Sequence, residues 1–227
     1  MNKHLVAIIT VLIVIVSGSC ICTSQKPSNQ WGQIIQQSNT AITSITICTV
    51  TDSSVPVFAG SGFFISSNGY LATSYHVISQ ALEQPEIWNI WAYINERDKL
   101  SVEVIALNTS HDIAILKVEA NDLDYLELED EFFASQGDNI ITIGNAYPFM
   151  SSVTPGIVSK IYKKDSLHII QMTAPVNPGC SGGPIINSRG KVIGIVTAIA
   201  PSYNGIYFGV DIHSLYSTIG SRIEIME

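Results

Sequence analysis

Charge is scarce in this chain. Of its 227 residues 13% are Asp, Glu, Lys or Arg, and the 11 basic ones form no run or stripe of the kind a phosphate backbone needs. Nucleic acid is therefore excluded as a partner, in keeping with a net charge of -8. Cysteine is scarce as well: Cys20 and Cys22 lie in an apolar leader, which leaves Cys48 and Cys180 for the folded part, expected as two separate thiols, with a disulfide between them as the alternative in an oxidising compartment. There is no C-x-x-C pair and no spaced histidine set, so neither a metal site nor a cofactor is expected. The acidity that exists is local. Asp122, Asp124, Glu127, Glu129, Asp130 and Glu131 fall close together and read as a solvated linker.

Long apolar runs are missing except at the start, where M-N-K-H leads into Leu5 to Val16, broken only by Thr10 and followed by S-G-S-C. One positive charge, a short apolar stretch and small residues before a cut make a secretory signal, too short for a comfortable membrane span. Small residues before Cys20 resemble a lipoprotein site at which that cysteine is lipidated; an uncleaved anchor and plain cleavage are the alternatives. All three put the remainder outside the cytoplasm, tethered to a membrane or secreted. Residues 1–22 are thus read as signal or anchor, 23–30 as a polar linker and 31–227 as the folded domain.

What is abundant is apolar content, 46%, much of it β-branched and laid out in short runs separated by turns. Examples are I-T-S-I-T-I-C-T-V from Ala41 onward, D-I-A-I-L-K-V from Asp112 and K-V-I-G-I-V-T from Lys191. Such a texture indicates an all-β protein in two halves, about 41–120 and 132–212, joined through the acidic stretch. Trp31 to Ser38 reads as a short helix. Ile212, Leu215, Tyr216 and Ile219 mark one face of a C-terminal helix.

Chemistry is concentrated in N-P-G-C-S-G-G-P, Asn177 to Pro184, where two nucleophiles adjoin in a glycine turn. Acyl transfer by such a residue needs a base, a carboxylate to orient the base, and amides aimed at an oxyanion. His76 in L-A-T-S-Y-H-V-I and Asp112 are available for the first two parts, in the order His, Asp, Ser along the chain, which is one known solution to that geometry. His111 is set aside because a strand neighbour of Asp112 points to the opposite face. Trp88 and Trp91 are read as packing residues, and His168 and His213 as structural or exposed.

Six blocks in order, G-S-G-F-F-I at Gly60, H-V at His76, D-I-A-I-L-K at Asp112, I-G-N at Ile143, T-P-G-I-V-S at Thr154 and N-P-G-C-S-G-G-P at Asn177, resemble those of the HtrA (Deg) family of chymotrypsin-like (trypsin-like) serine proteases, over roughly residues 58–212. The resemblance implies two six-stranded antiparallel β-barrels with a short C-terminal helix. It also implies a serine-type endopeptidase with His76 as general base, Asp112 as its orienting partner and Ser181, which directly precedes Gly-Gly, as nucleophile. The amides of Gly179 and Ser181 would form the oxyanion hole, and Cys180 would be a packed thiol. Digestive relatives carry an aspartate in the place of Cys180 that captures a new N-terminus, so activation by that route is not expected.

Substrate would lie along Thr197, Ala198 and Ile199 by strand addition, in a pocket bounded by Pro175, Val176, Gly205 and Tyr207. None of these is charged, so cleavage after aliphatic residues is expected, because a basic side chain would be desolvated without a partner. Protein or peptide substrates and a homo-oligomer, commonly a trimer, follow from the resemblance. With so little sequence after Ser181, the PDZ domain many members carry is not expected here. Two other readings are a catalytically silent relative that holds peptides and a β-sandwich adhesion module; the first should have lost a triad residue, and the second leaves the ordered blocks unexplained.

Overall fold

The computed structural model describes residues 30–53, 56–94, 98–130, 134–146, 149–164, 167–199 and 205–219. Among them the protein is mostly β. Helix α1 (Gln30–Asn39) leads into β1 (Ile42–Thr49), β2 (Pro56–Phe64) and β3 (Tyr70–Thr73), then α2 (Tyr75–Glu83), β4 (Trp88–Ile94), β5 (Asp98–Ser101), β6 (Glu103–Asn108) and β7 (Ile113–Lys117). The second half contains β8 (Asn139–Ala146), β9 (Phe149–Lys164), β10 (Leu167–Met172), β11 (Pro184–Asn187), β12 (Val192–Ile199) and β13 (Tyr207–Asp211), and closes with α3 (His213–Ile219). Both terminal helices fall where the sequence reading puts them, α1 over Trp31 to Ser38 and α3 over the face marked by Leu215, Tyr216 and Ile219. Helix α2 does not: it begins at the residue before His76, in a stretch with no separate helical signal.

The second half is a closed antiparallel barrel in the order β10-β13-β12-β11-β8-β9. Six strands therefore close there, as expected. The first half differs in detail, being a seven-stranded sheet ordered β5-β4-β1-β2-β3-β7-β6. Its two edge strands, β5 and β6, are consecutive in sequence with only Val102 between them. A one-residue link cannot span an open sheet, so the sheet must curl until its edges adjoin, and the closure is made by the chain rather than by hydrogen bonds between the edges.

Burial explains the strand sequences. Every residue of β1 from Ile42 to Cys48 is buried, which is why it reads as a nearly continuous β-branched run: it is covered on both faces. Ile45 packs inward with Phe64, Leu71, Ala92 and Leu116, the first half's own core. Ile170, Met172, Ile185 and Val196 belong to the core of the barrel. A third cluster crosses between the halves, joining Ile42, Phe63, Ile113 and Ile115 to Ile141, Ile143, Ile195 and Ile212.

The acidic stretch is more than a solvated linker. Leu126 is buried, Leu128 bridges to Val192, and Glu129 is only 5% exposed, held by Asn187 Nδ2 at 2.8 Å and by the Arg189 guanidinium. Burial of a carboxylate requires such partners, and they come from a turn far along the chain, so a run of like charges gave no sign of them. Cys48 and Cys180 are both buried and unbridged, as expected. Cys20 and the N-terminal apolar run lie outside the described residues; among the described residues no helix is long and apolar enough to cross a membrane.

Candidate active site

His76 stands in the first turn of α2, and Asp112 in the turn just before β7. Asp112 has φ +56°, a left-handed conformation that Asp tolerates better than most side chains. That bend turns the residue's polar groups back on the helix start. The Asp112 carbonyl accepts the Tyr75 N–H at 3.1 Å, Oδ1 accepts the His76 N–H at 2.9 Å, and Oδ2 lies 2.8 Å from His76 Nδ1. Asp112 thus caps α2 in place of Ser74, which precedes the helix but makes no side-chain cap. An ionised carboxylate only accepts, so Nδ1 carries the proton and Nε2 of the neutral ring is left as the basic nitrogen. The His76 side chain remains 46% exposed, open to a reacting partner.

Ser181 is in the turn that leads into β11. The Cys180 N–H donates to the Asn177 carbonyl at 2.9 Å, with Pro178 second and Gly179, at φ +97°, third. This is a type II turn, which requires positive φ at its third residue and is therefore built with glycine. Gly182, at φ +86°, has no alternative either: a Cβ there would lie 2.1 Å from the Ser61 carbonyl oxygen and 2.3 Å from Thr73 Oγ1. The two glycines next to the nucleophile candidates are thus demanded by backbone conformation and by close approach to the first half.

The serine turn and β12 are joined to β2 and to the residue before α2 by backbone and side-chain hydrogen bonds. The Ser61 N–H donates to the Ser181 carbonyl at 2.7 Å, Ser74 Oγ to the Val196 carbonyl at 3.0 Å, and the Gly182 N–H to the same Val196 carbonyl at 2.8 Å. Gly60 lies between the Val77 side chain and the Ser181 carbonyl, where any Cβ would collide with Val77. His76 and Asp112 are paired directly, and the Ser181 turn is tied to Ser61, Ser74 and Gly60 beside them. Ser61, Thr73 and Ser74, which line the join, were not singled out in the sequence; Ser61 lies inside the G-S-G-F-F-I block, the one signal that pointed to it.

Cys180 is 6% exposed and packed in the barrel core, and burial pushes its thiol above the usual range against a smaller opposing effect of the bond with Asn177. A thiol so placed is a poor nucleophile. His111 is indeed separate from the couple, though not by strand alternation: residues 109–112 form a turn, in which its N–H donates to Asn108 Oδ1 at 3.0 Å. His168, read as structural or exposed, makes a second couple, its Nδ1 lying 2.6 Å from Oδ2 of the fully buried Asp211. Trp91 packs under the Lys99 ammonium, 4.3 Å from the ring centre.

Among the expected substrate residues, Thr197, Ala198 and Ile199 lie at the end of β12, where Ala198 and Ile199 pair with Phe208 and Tyr207 of β13 while β11 has already ended. Pro175 and Gly205 are exposed and Tyr207 is half-buried. Val176 is 3% exposed and packs with Met172, Ala174 and Cys180 in the barrel core.

A closed barrel and a curled sheet that meet at a His–Asp couple and a glycine-rich serine turn define the chymotrypsin-like class of β folds. The chain belongs to the trypsin-like peptidase domain family, whose model matches residues 60–195. It is similar to a probable periplasmic serine endoprotease, DegP-like, of Chlamydia trachomatis, 34% identical over 157 residues, which take in 66% of this chain and 30% of that protein. The chain thus spans about a third of the length of such curated relatives. Among solved structures, the serine endoprotease from Yersinia pestis superimposes with a TM-score of 0.73 at 25% identity, covering 86% of this chain and 66% of that one. Deg5 superimposes with a TM-score of 0.75 at 22% identity, covering 89% and 98%, a likeness of fold.

Proposed function

We propose that this protein is a serine endopeptidase of HtrA type that works outside the cytoplasm on extended or unfolded protein segments. Ser181 Oγ attacks the scissile carbonyl while His76 Nε2 takes its proton, and Asp112 holds the ring in the tautomer that leaves Nε2 free and stabilises the imidazolium that forms. The tetrahedral oxyanion is received by the amides of Gly179 and Ser181. His76 then returns the proton to the leaving amine, and water resolves the acyl-enzyme through the same base. The observation that carries this reading is that the His76–Asp112 couple, unlike the buried one at His168 and Asp211, stays open, with the His76 side chain 46% exposed, while Gly60 packs between Val77 of the same helix and the Ser181 carbonyl.

Substrate binds as an added strand against Thr197 to Ile199, whose outward side is left without a β11 partner, and its side chain before the scissile bond enters a pocket near Pro175, Gly205 and Tyr207. The absence of charge at these positions favours aliphatic residues there. The extracytoplasmic setting is supported by the periplasmic naming of the relatives and by the leader-like first residues.

Labelling of the full chain with a fluorophosphonate probe tests the reading. Wild type and Cys180→Ala should label and Ser181→Ala should not. Labelling retained in Ser181→Ala and lost in Cys180→Ala would overturn the assignment, and absence of labelling in every form, with unfolded protein present, would favour a silent peptide-holding relative.

A further inference from the structure

We propose that Ser61 is a positioning residue for the oxyanion turn, an inference that rests on the protease reading above. Ser61 lies on β2 in the first half and is fully buried, yet all of its polar groups are engaged near the nucleophile. Its N–H donates to the Ser181 carbonyl at 2.7 Å, and its carbonyl accepts from Thr73 Oγ1 at 2.7 Å. Its hydroxyl bridges the Asn145 N–H, at 2.7 Å, and the Gly179 carbonyl, at 2.6 Å.

The donor roles in that bridge are settled by chemistry. A backbone N–H can only donate, so Oγ accepts from Asn145 and its own proton goes to Gly179. The peptide between Gly179 and Cys180 is consequently held at both ends, its carbonyl by Ser61 and its N–H by Asn177.

Gly179 and Ser181 are the two residues whose amides would receive the oxyanion. One side chain and one main-chain amide of the same buried residue grip the carbonyls of both, and so set the spacing of the two donors from a strand of the opposite half. Asn145 anchors the arrangement to the end of β8. The space is closely fitted: a Cβ on Gly144 would lie 3.1 Å from Ser61 Oγ and 3.0 Å from Cys180 Cα. Donor placement of this kind governs rate more than binding: displacement by about 1 Å can cost on the order of 100-fold, and loss of one oxyanion donor about 100- to 1,000-fold.

The test measures the fluorophosphonate labelling rate of the full chain, resolved into a maximal rate constant and a half-saturating probe concentration. Ser61→Ala should lower the maximal rate about 10- to 100-fold per folded molecule, with the half-saturating concentration within about threefold. Ser61→Cys, nearly the same shape with a weak donor and kept under reducing conditions, should show the same split and decides the matter if the alanine variant does not fold. In a Ser181→Ala background, Ser61→Ala should also speed hydrogen exchange across residues 177–183 without changing residues 42–47. A maximal rate within twofold of wild type in the folded variants would overturn the inference, as would unchanged exchange at 177–183. A wild type unlabelled at Ser181 would instead count against the protease reading, and the exchange measurement would still decide whether Ser61 holds the turn.

Discussion

The molecule holds two His–Asp couples, and they are built alike. In each, Nδ1 lies within hydrogen-bond reach of one carboxylate oxygen, 2.8 Å for His76 with Asp112 and 2.6 Å for His168 with Asp211, and the backbone N–H of the histidine donates to the same aspartate. Each aspartate also holds the start of a helix. Asp112 does so for α2 through the Tyr75 and His76 amides, and Asp211 for α3 through the Ser214 N–H and hydroxyl. They differ in surroundings. The Asp112 side chain is 29% exposed beside a cleft, whereas Asp211 is fully buried. Ser214, the serine nearest the second couple, gives its hydroxyl proton to the carboxylate itself and so has none to offer the ring. A His–Asp pair is therefore a structural joint first, and under the proposed function the open one gains its chemistry from the serine turn at Asn177 to Gly183.

The contrast can be broken by mutation, and the largest effect falls on the cleft. Ser181→Ala should reduce kcat on any cleaved peptide by on the order of a million-fold, while leaving the melting temperature within a few degrees of wild type. Next comes Asp112→Asn, which offers an amide where a carboxylate had fixed the tautomer, with an expected loss in kcat of about 10,000-fold. The matched change Asp211→Asn should act on stability instead. Disturbing a buried, four-times hydrogen-bonded carboxylate costs roughly 3–5 kcal/mol, read as a fall in melting temperature of about 10 °C, with kcat per folded molecule within threefold. An Asp211→Asn enzyme that melts normally but has lost its rate would erase the distinction between the couples. The smallest effect concerns the neighbour of the proposed nucleophile. Because burial raises the Cys180 thiol, iodoacetamide at pH 8 should modify it at least about tenfold more slowly in the native protein than after unfolding, measured by peptide mass.

The cleft couple was legible in the sequence and the buried one was not, for a physical reason. His76, Asp112 and Ser181 each stand in a short contiguous block that resembles one of the HtrA family, so the resemblance pointed to them even though α2 has no helical signal of its own. His168 and Asp211 lie 43 residues apart in ordinary strand sequence, and their meeting depends on β10 pairing with β13. Alternation of apolar residues announces strands without saying which will be neighbours. The same limit hid Glu129, whose partners Asn187 and Arg189 are 58 and 60 residues away. It hid Ser61 as well, which bonds to Gly179 from 118 residues off. The first half was expected as a six-stranded barrel because the resemblance implied one, while the link at Val102 becomes informative only once the order of its seven strands is known.

The ties from Ser61 and Ser74 to the Ser181 turn also bear on when the site comes into being. During synthesis the first half emerges well before residues 177–199, and at that stage Ser61 Oγ, Ser74 Oγ and the Ser61 N–H have no carbonyls to meet. The second half, folded alone, would present its serine on a turn without its clamp. These ties can form only once both halves have folded and docked, so under the protease reading a nascent chain would hold the residues of the site before the site itself exists.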